Sequence, residues 1–194
     1  MTSQRARRAA GVVLAATVLQ LLVASLVPGL PQFESKGFMA RLVLYPVLML
    51  LVPALWWLGH RGAEPPWAAF AVIMTPFLID VTGNSLDLYD RVVWWDDANH
   101  LVNWFLVCLG LGLVLLPSVE APPWVVAALV TGGGALLAIV WELGEWFAFI
   151  RHGTELATAY QDTLGDEVLG TTGAAIAAAV LFRMRAVRGV GAPD

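Results

Sequence analysis

The sequence predicts an all-α fold: a polytopic transmembrane helical bundle of about six spans in a single domain, 1-194, with both termini in the cytoplasm. Three observations predict it. Hydrophobic residues make up 59% of the chain and charged residues only 13%, about half the charged share of soluble domains. The apolar residues gather into six runs, each close to the ~20 residues that one helical crossing needs. Lys and Arg divide unequally between alternate connections, as the positive-inside rule expects.

The first span, about 9-28, follows a basic segment, Met1 to Arg8, and is interrupted by polar residues only at Thr17, Gln20 and Ser25. A cleaved signal peptide has a shorter apolar core and a small-residue cleavage site, so this run is read as a retained helix. Pro28 and Pro31 close it. The second span, about 40-59, ends where Gly59 to Pro66 separate it from the third, about 67-88. The fourth, about 97-116, is divided from the fifth, about 123-150, by Pro117, Pro122 and Pro123, which cannot continue a helix. The sixth covers about 163-184. No connection is long enough for a soluble domain, and His60 and His152 read as loop residues. The single cysteine, Cys108, excludes an internal disulfide and any cysteine-cluster metal site. A net charge of −4 and a pI near 5.3 provide no basic surface, so no nucleic-acid partner is expected.

Orientation follows from the basic residues. Arg5, Arg7, Arg8, Arg61, Arg183, Arg185 and Arg188 fall on one side of the six spans, and Lys36, Arg41, Arg91 and Arg151 on the other. The richer side is cytoplasmic. Of the carboxylates only Glu64, Glu120 and Asp194 then lie inside. The other twelve of the fifteen fall in the outer half, several within apolar helical sequence, where an unpaired charge costs about 3 kcal/mol. They require partners, water or a cation.

Four segments carry these groups. In the first, Asp80, Asn84 and Asp87 recur at i, i+4 and i+7, on one face if the helix continues, with Asp90 beyond; Gly83 is placed to loosen that helix. A solvated helix end with Asp-Asn turn chemistry is the plain alternative. The second, Trp94 to Asn103, sets Asp96 and Asp97 one turn before His100, the spacing by which bundle helices build metal sites. Its alternative is an N-capping aspartate and a carboxylate-bonded histidine, with the two tryptophans in an interfacial belt. The third places Glu142 and Glu145 one turn apart, where two carboxylates repel unless a proton or a cation intervenes; a pair with Arg151 or Arg91 is the non-metal explanation. The fourth sets Asp162 and Asp166 one turn apart at a helix start, where the dipole also favours them. Gly170 to Ala174 and Gly173 to Ala177 form a small-residue packing face after it. Oxygen-rich sets suit Mg²⁺, Mn²⁺ or Ca²⁺, and carboxylates with one histidine suit Zn²⁺ or Fe²⁺.

The Asp96 to His100 element, Glu142-Leu-Gly-Glu145-Trp146, and Asp162-Thr-Leu-Gly-Asp166 followed by Gly173-Ala174 resemble the YjdF-like bacterial inner-membrane proteins, a domain of unknown function. The likeness spans roughly residues 77 to 180 and departs from it between Trp146 and Asp162 and in the first two spans. An acidic residue leading into a small-residue final helix is more distantly similar to VanZ-like membrane proteins, some of them linked to glycopeptide resistance. Neither resemblance implies a reaction.

The function expected is therefore a metal-dependent hydrolase or transferase acting at the outer leaflet on a lipid-linked or phosphorylated substrate. Asp96, His100, Glu142, Asp162 and Asp166 are the expected metal ligands, with Asp97 and Glu145 as catalytic carboxylates. Asp80, Asn84, Asp87, Asp90 and Asn103 complete the polar cluster. A transporter of ions or small solutes is the second class, opposed by inner halves of spans three to six that offer mainly Thr75, Ser118 and Thr131. An accessory subunit with a register-fixing polar network, joined to a partner or to a second copy through its helices, is the third.

Overall fold

The computed structural model describes residues 2–148, 150–152 and 154–189; Asp194 and the side chains of His152 and Arg188 lie outside the described residues. Six long helices dominate: α1 Ser3–Leu26, α2 Phe38–Gly59, α3 Trp67–Ser85, α5 Trp95–Leu115, α6 Pro123–Ala148 and α7 Ala159–Gly189, with a single turn, α4 Leu88–Arg91, between α3 and α5. No strand occurs among the described residues. Each long helix contains a stretch apolar and long enough to cross a membrane, so the chain is a multi-pass membrane protein.

The helix ends differ from the sequence expectation where local chemistry intervenes. Ser3 to Arg8 extend the first span as helix instead of preceding it. α3 stops at Ser85, because Asp87 adopts a left-handed backbone with φ of 60°. Asp87 therefore leaves the helical face of Asp80 and Asn84. α5 begins at Trp95 with Trp94 as its cap residue, so neither Asp96 nor Asp97 caps it.

α1 packs on α3, α3 on α5, α5 on α7 and α7 on α6, while α2 lies against α1 and α3. Between lipid-exposed helices the hydrophobic effect offers no drive, and close backbone approach by small residues takes its place. A Cβ on Gly173 would run into the Leu101 carbonyl oxygen and come within 2.9 Å of the Phe105 nitrogen, and one on Gly170 would lie 2.8 Å from the Trp104 ring. These two glycines let α7 lie directly on α5. On α3, Gly83 does not loosen the helix; it makes room for the indole of Trp95, whose nitrogen a Cβ would strike. Trp94 is exposed while Trp95 is not, so only the first of the two tryptophans faces outward as a belt residue.

The alternating helices gather the connections after α1, α3 and α6 at one end and those after α2 and α5 at the other. At the second end Arg185 donates to the carbonyls of Leu116 at 2.6 Å and Val119 at 2.8 Å, satisfying acceptors that a helix terminus leaves open. The core near that end is apolar: Ala10, Met49, Trp56, Phe70, Ala71 and Met74. Among the described residues the first end holds the carboxylates other than Glu64 and Glu120, which lie in the connections at the second.

Candidate metal centre

His100 sits one turn into α5, buried to 8% exposure, with Asp96 one turn before it on the same face. The close α5–α7 contact brings Asp166 opposite its ring, and α6 delivers Glu142 from the other side. His100 Nε2 lies 3.7 Å from Asp96 Oδ1 and 3.6 Å from Asp166 Oδ1, and Nδ1 lies 3.8 Å from Glu142 Oε1. All three separations exceed hydrogen-bonding distance. Asp166 and Glu142 are buried, at 4% and 6% exposure. Thr163 donates to Glu142 Oε2 at 3.2 Å, whereas the buried Oε1 has no hydrogen-bond partner among the described residues. A buried carboxylate oxygen without a donor is an exception that calls for a cause.

The ligand atoms of Asp96, His100 and Asp166 lie within 4.8 Å of one another, and so do those of His100, Glu142 and Glu145. Two acidic oxygens and an imidazole nitrogen per group fit the donor preferences of Mn²⁺, Zn²⁺ or Fe²⁺, and the oxygen-only fraction those of Mg²⁺ or Ca²⁺.

A second network adjoins the first through Glu145. Arg41, in the first turn of α2, places one guanidinium nitrogen 2.8 Å from Asp80 Oδ2 and another 3.9 Å from Glu145 Oε1. Tyr45, one turn on, donates to Asp80 Oδ2 at 2.7 Å, and Tyr89 of α4 donates to Asp80 Oδ1 at 2.8 Å. Asn84 adds a bond to the Asp80 carbonyl at 3.0 Å. Burial, reinforced by the Asp80 charge, pushes the Tyr89 phenol well above its ordinary pKa, so it remains the donor. Both carboxylate oxygens of Asp80 are thus bonded within the protein.

The remaining expected site residues fall elsewhere. Asp97 and Asp162 are exposed and belong to neither ligand group. Asp87 pairs with Arg91 at 2.7 Å and Asp90 with Lys36 at 2.6 Å, at the rim; the Lys36 hydrogen bond holds the Asp90 carboxyl below its usual range. Asn103 donates to Asn99 Oδ1 at 3.2 Å and Asn99 to the Trp95 carbonyl at 2.8 Å, an amide ladder along α5. The arginine near Glu145 is neither Arg91 nor Arg151, which stacks on Phe147; it is Arg41. Sequence reasoning assigned no site role to Arg41, Tyr45, Tyr89 or Thr163. The available signal was Arg41 and Tyr45 at i, i+4 in an otherwise apolar helix.

Residues 10–186 match the model of the predicted membrane protein family DUF2238, and the chain belongs to that family, of unknown function, which is the YjdF-like one. The match lends nothing to the VanZ-like resemblance. No curated protein and no solved structure matches the chain.

Proposed function

We propose that the chain is a divalent-cation-dependent protein of the bacterial inner membrane, acting at its extracytoplasmic face as a hydrolase or transferase of a phosphorylated or lipid-linked substrate. The observation that carries this reading is the convergence of Asp96, His100 and Asp166 from two helices, with two of the three side chains buried and no Lys or Arg among the described residues within 4 Å of Asp166. A buried carboxylate such as Asp166 needs a proton or a cation, and the facing His100 ring offers at most one charge. A bound cation supplies Lewis acidity and lowers the pKa of a water. Asp96, His100 and Asp166 hold it; Glu145, fixed beside Arg41, is placed to accept a proton from the attacking group. Exposed Asp97 is assigned no proton transfer.

The extracytoplasmic assignment rests on the seven basic residues at the opposite end against four here. A conduit across the membrane is disfavoured by the apolar cluster of Ala10, Met49, Trp56, Phe70 and Met74 in the other half. The test is release of phosphate from phosphorylated lipids, such as a polyprenyl diphosphate, by purified protein in liposomes. The reading expects turnover that stops on chelation and in His100→Ala and Asp166→Asn; turnover indifferent to both would overturn it.

A further inference from the structure

We propose that this centre takes two divalent cations, one on each side of the His100 ring, a deepening that rests on the cation reading above. The geometry of the ring carries it. The two ligand groups share His100 but meet it at opposite nitrogens: Nε2 faces Asp96 and Asp166 at 3.7 and 3.6 Å, and Nδ1 faces Glu142 at 3.8 Å. The lone-pair directions of the two nitrogens diverge across the ring, so no single ion is reached by both. Asp96, His100 and Asp166 therefore define one position, and His100, Glu142 and Glu145 another.

An independent observation points to an occupant of the second position. Glu142 Oε1 is buried and without a hydrogen-bond donor among the described residues, while Oε2 is taken by Thr163. Charge balance agrees. Four carboxylates, Asp96, Glu142, Glu145 and Asp166, border the ring, and the guanidinium beside them, Arg41, is 2.8 Å from Asp80 but 3.9 Å from Glu145. An ion between Asp96 and Asp166 does not reach Glu142 and Glu145, which inside a membrane span, where charge is costly, need protons or an ion of their own. Glu145 then acts as a ligand instead of a proton acceptor. A neutral imidazole carries one N–H, so an ion on each nitrogen sends that proton to solvent.

The test uses the full chain in detergent, stripped by chelator, reloaded with Mn²⁺ and analysed for metal per chain and by electron paramagnetic resonance. Two Mn²⁺ per wild-type chain with a spin-coupled spectrum are expected, falling to one uncoupled ion in Glu142→Gln, Glu145→Gln and Asp166→Asn. One ion in the wild type, unchanged in Glu142→Gln, overturns the second position and leaves the cation reading intact. No bound ion in the wild type overturns both. Thermal unfolding checks that each variant is folded, and the wild-type count decides the matter where a variant is not.

Discussion

Arg41 and Asp80 meet at 2.8 Å with side chains only 13% and 14% exposed, so either is expensive to leave alone. Removing one partner of a buried pair costs about 3–5 kcal/mol. Arg41→Gln and Asp80→Asn are each expected to lower the unfolding midpoint sharply, and the double variant to lose less than the sum of the singles; additive losses would deny the coupling. In the sequence Asp96, His100, Glu142 and Asp166 were legible, because helical spacing alone places each on a face at the same end of the bundle. Arg41 was read only as a charge setting orientation, since its carboxylate partners Asp80 and Glu145 lie 39 residues or more away in the chain and its spacing to Tyr45 does not identify them. Asp97 and Asp162 have the same helical spacing as the residues that converge on His100, but spacing does not say which way a helix is turned. At the rim, the depressed Asp90 pKa adds stability that is full above the unfolded value of about 3.9 and is lost as pH falls through the folded value. The side chain is 57% exposed, so the contribution is at most about 1 kcal/mol. Lys36→Ala should return the Asp90 carboxyl, followed by NMR, toward its ordinary pKa, and an unmoved value would count against the pair.

Two helices must touch before His100 and Asp166 can share anything, and Gly173 sets how closely α5 and α7 approach. Its missing Cβ leaves room for the backbone of Leu101 and Phe105, atoms that cannot swing aside. Overpacking costs about 1–3 kcal/mol, and Gly173→Leu is expected to exceed the effect of Gly173→Ala. Because the substitution parts the two helices that carry the cluster, both variants should weaken Mn²⁺ binding in step with their loss of thermal stability. Binding that stays at the wild-type level in folded Gly173→Leu would contradict the packing described. The existence of every long helix was legible in hydropathy and breakers, and so was the small-residue face of α7. The ends were not: the stop at Ser85 depends on the left-handed Asp87, and Gly83, which a sequence reads as a flaw in the helix, accommodates Trp95 from a different helix.

For the molecule as a whole, the acids at one end and the surplus of arginine at the other predict a fixed orientation. Cysteine introduced at Glu64 should react with a membrane-impermeant thiol reagent only after the membrane is opened, and cysteine at Gln32 in sealed cells; the reverse pattern would invert the topology and move the proposed chemistry to the cytoplasm. Which end is acidic could be read from six spans and a charge count, whereas how the acids pair required the three-dimensional arrangement of α2, α3, α5, α6 and α7. The central claim is that the cluster around His100 binds a divalent cation. Its most direct test is a Mn²⁺ titration of the purified, chelator-stripped chain beside His100→Ala. Saturable binding that His100→Ala weakens at least tenfold, about 1.4 kcal/mol or more, is the predicted result; a wild-type chain that takes up no more Mn²⁺ than the variant would contradict it.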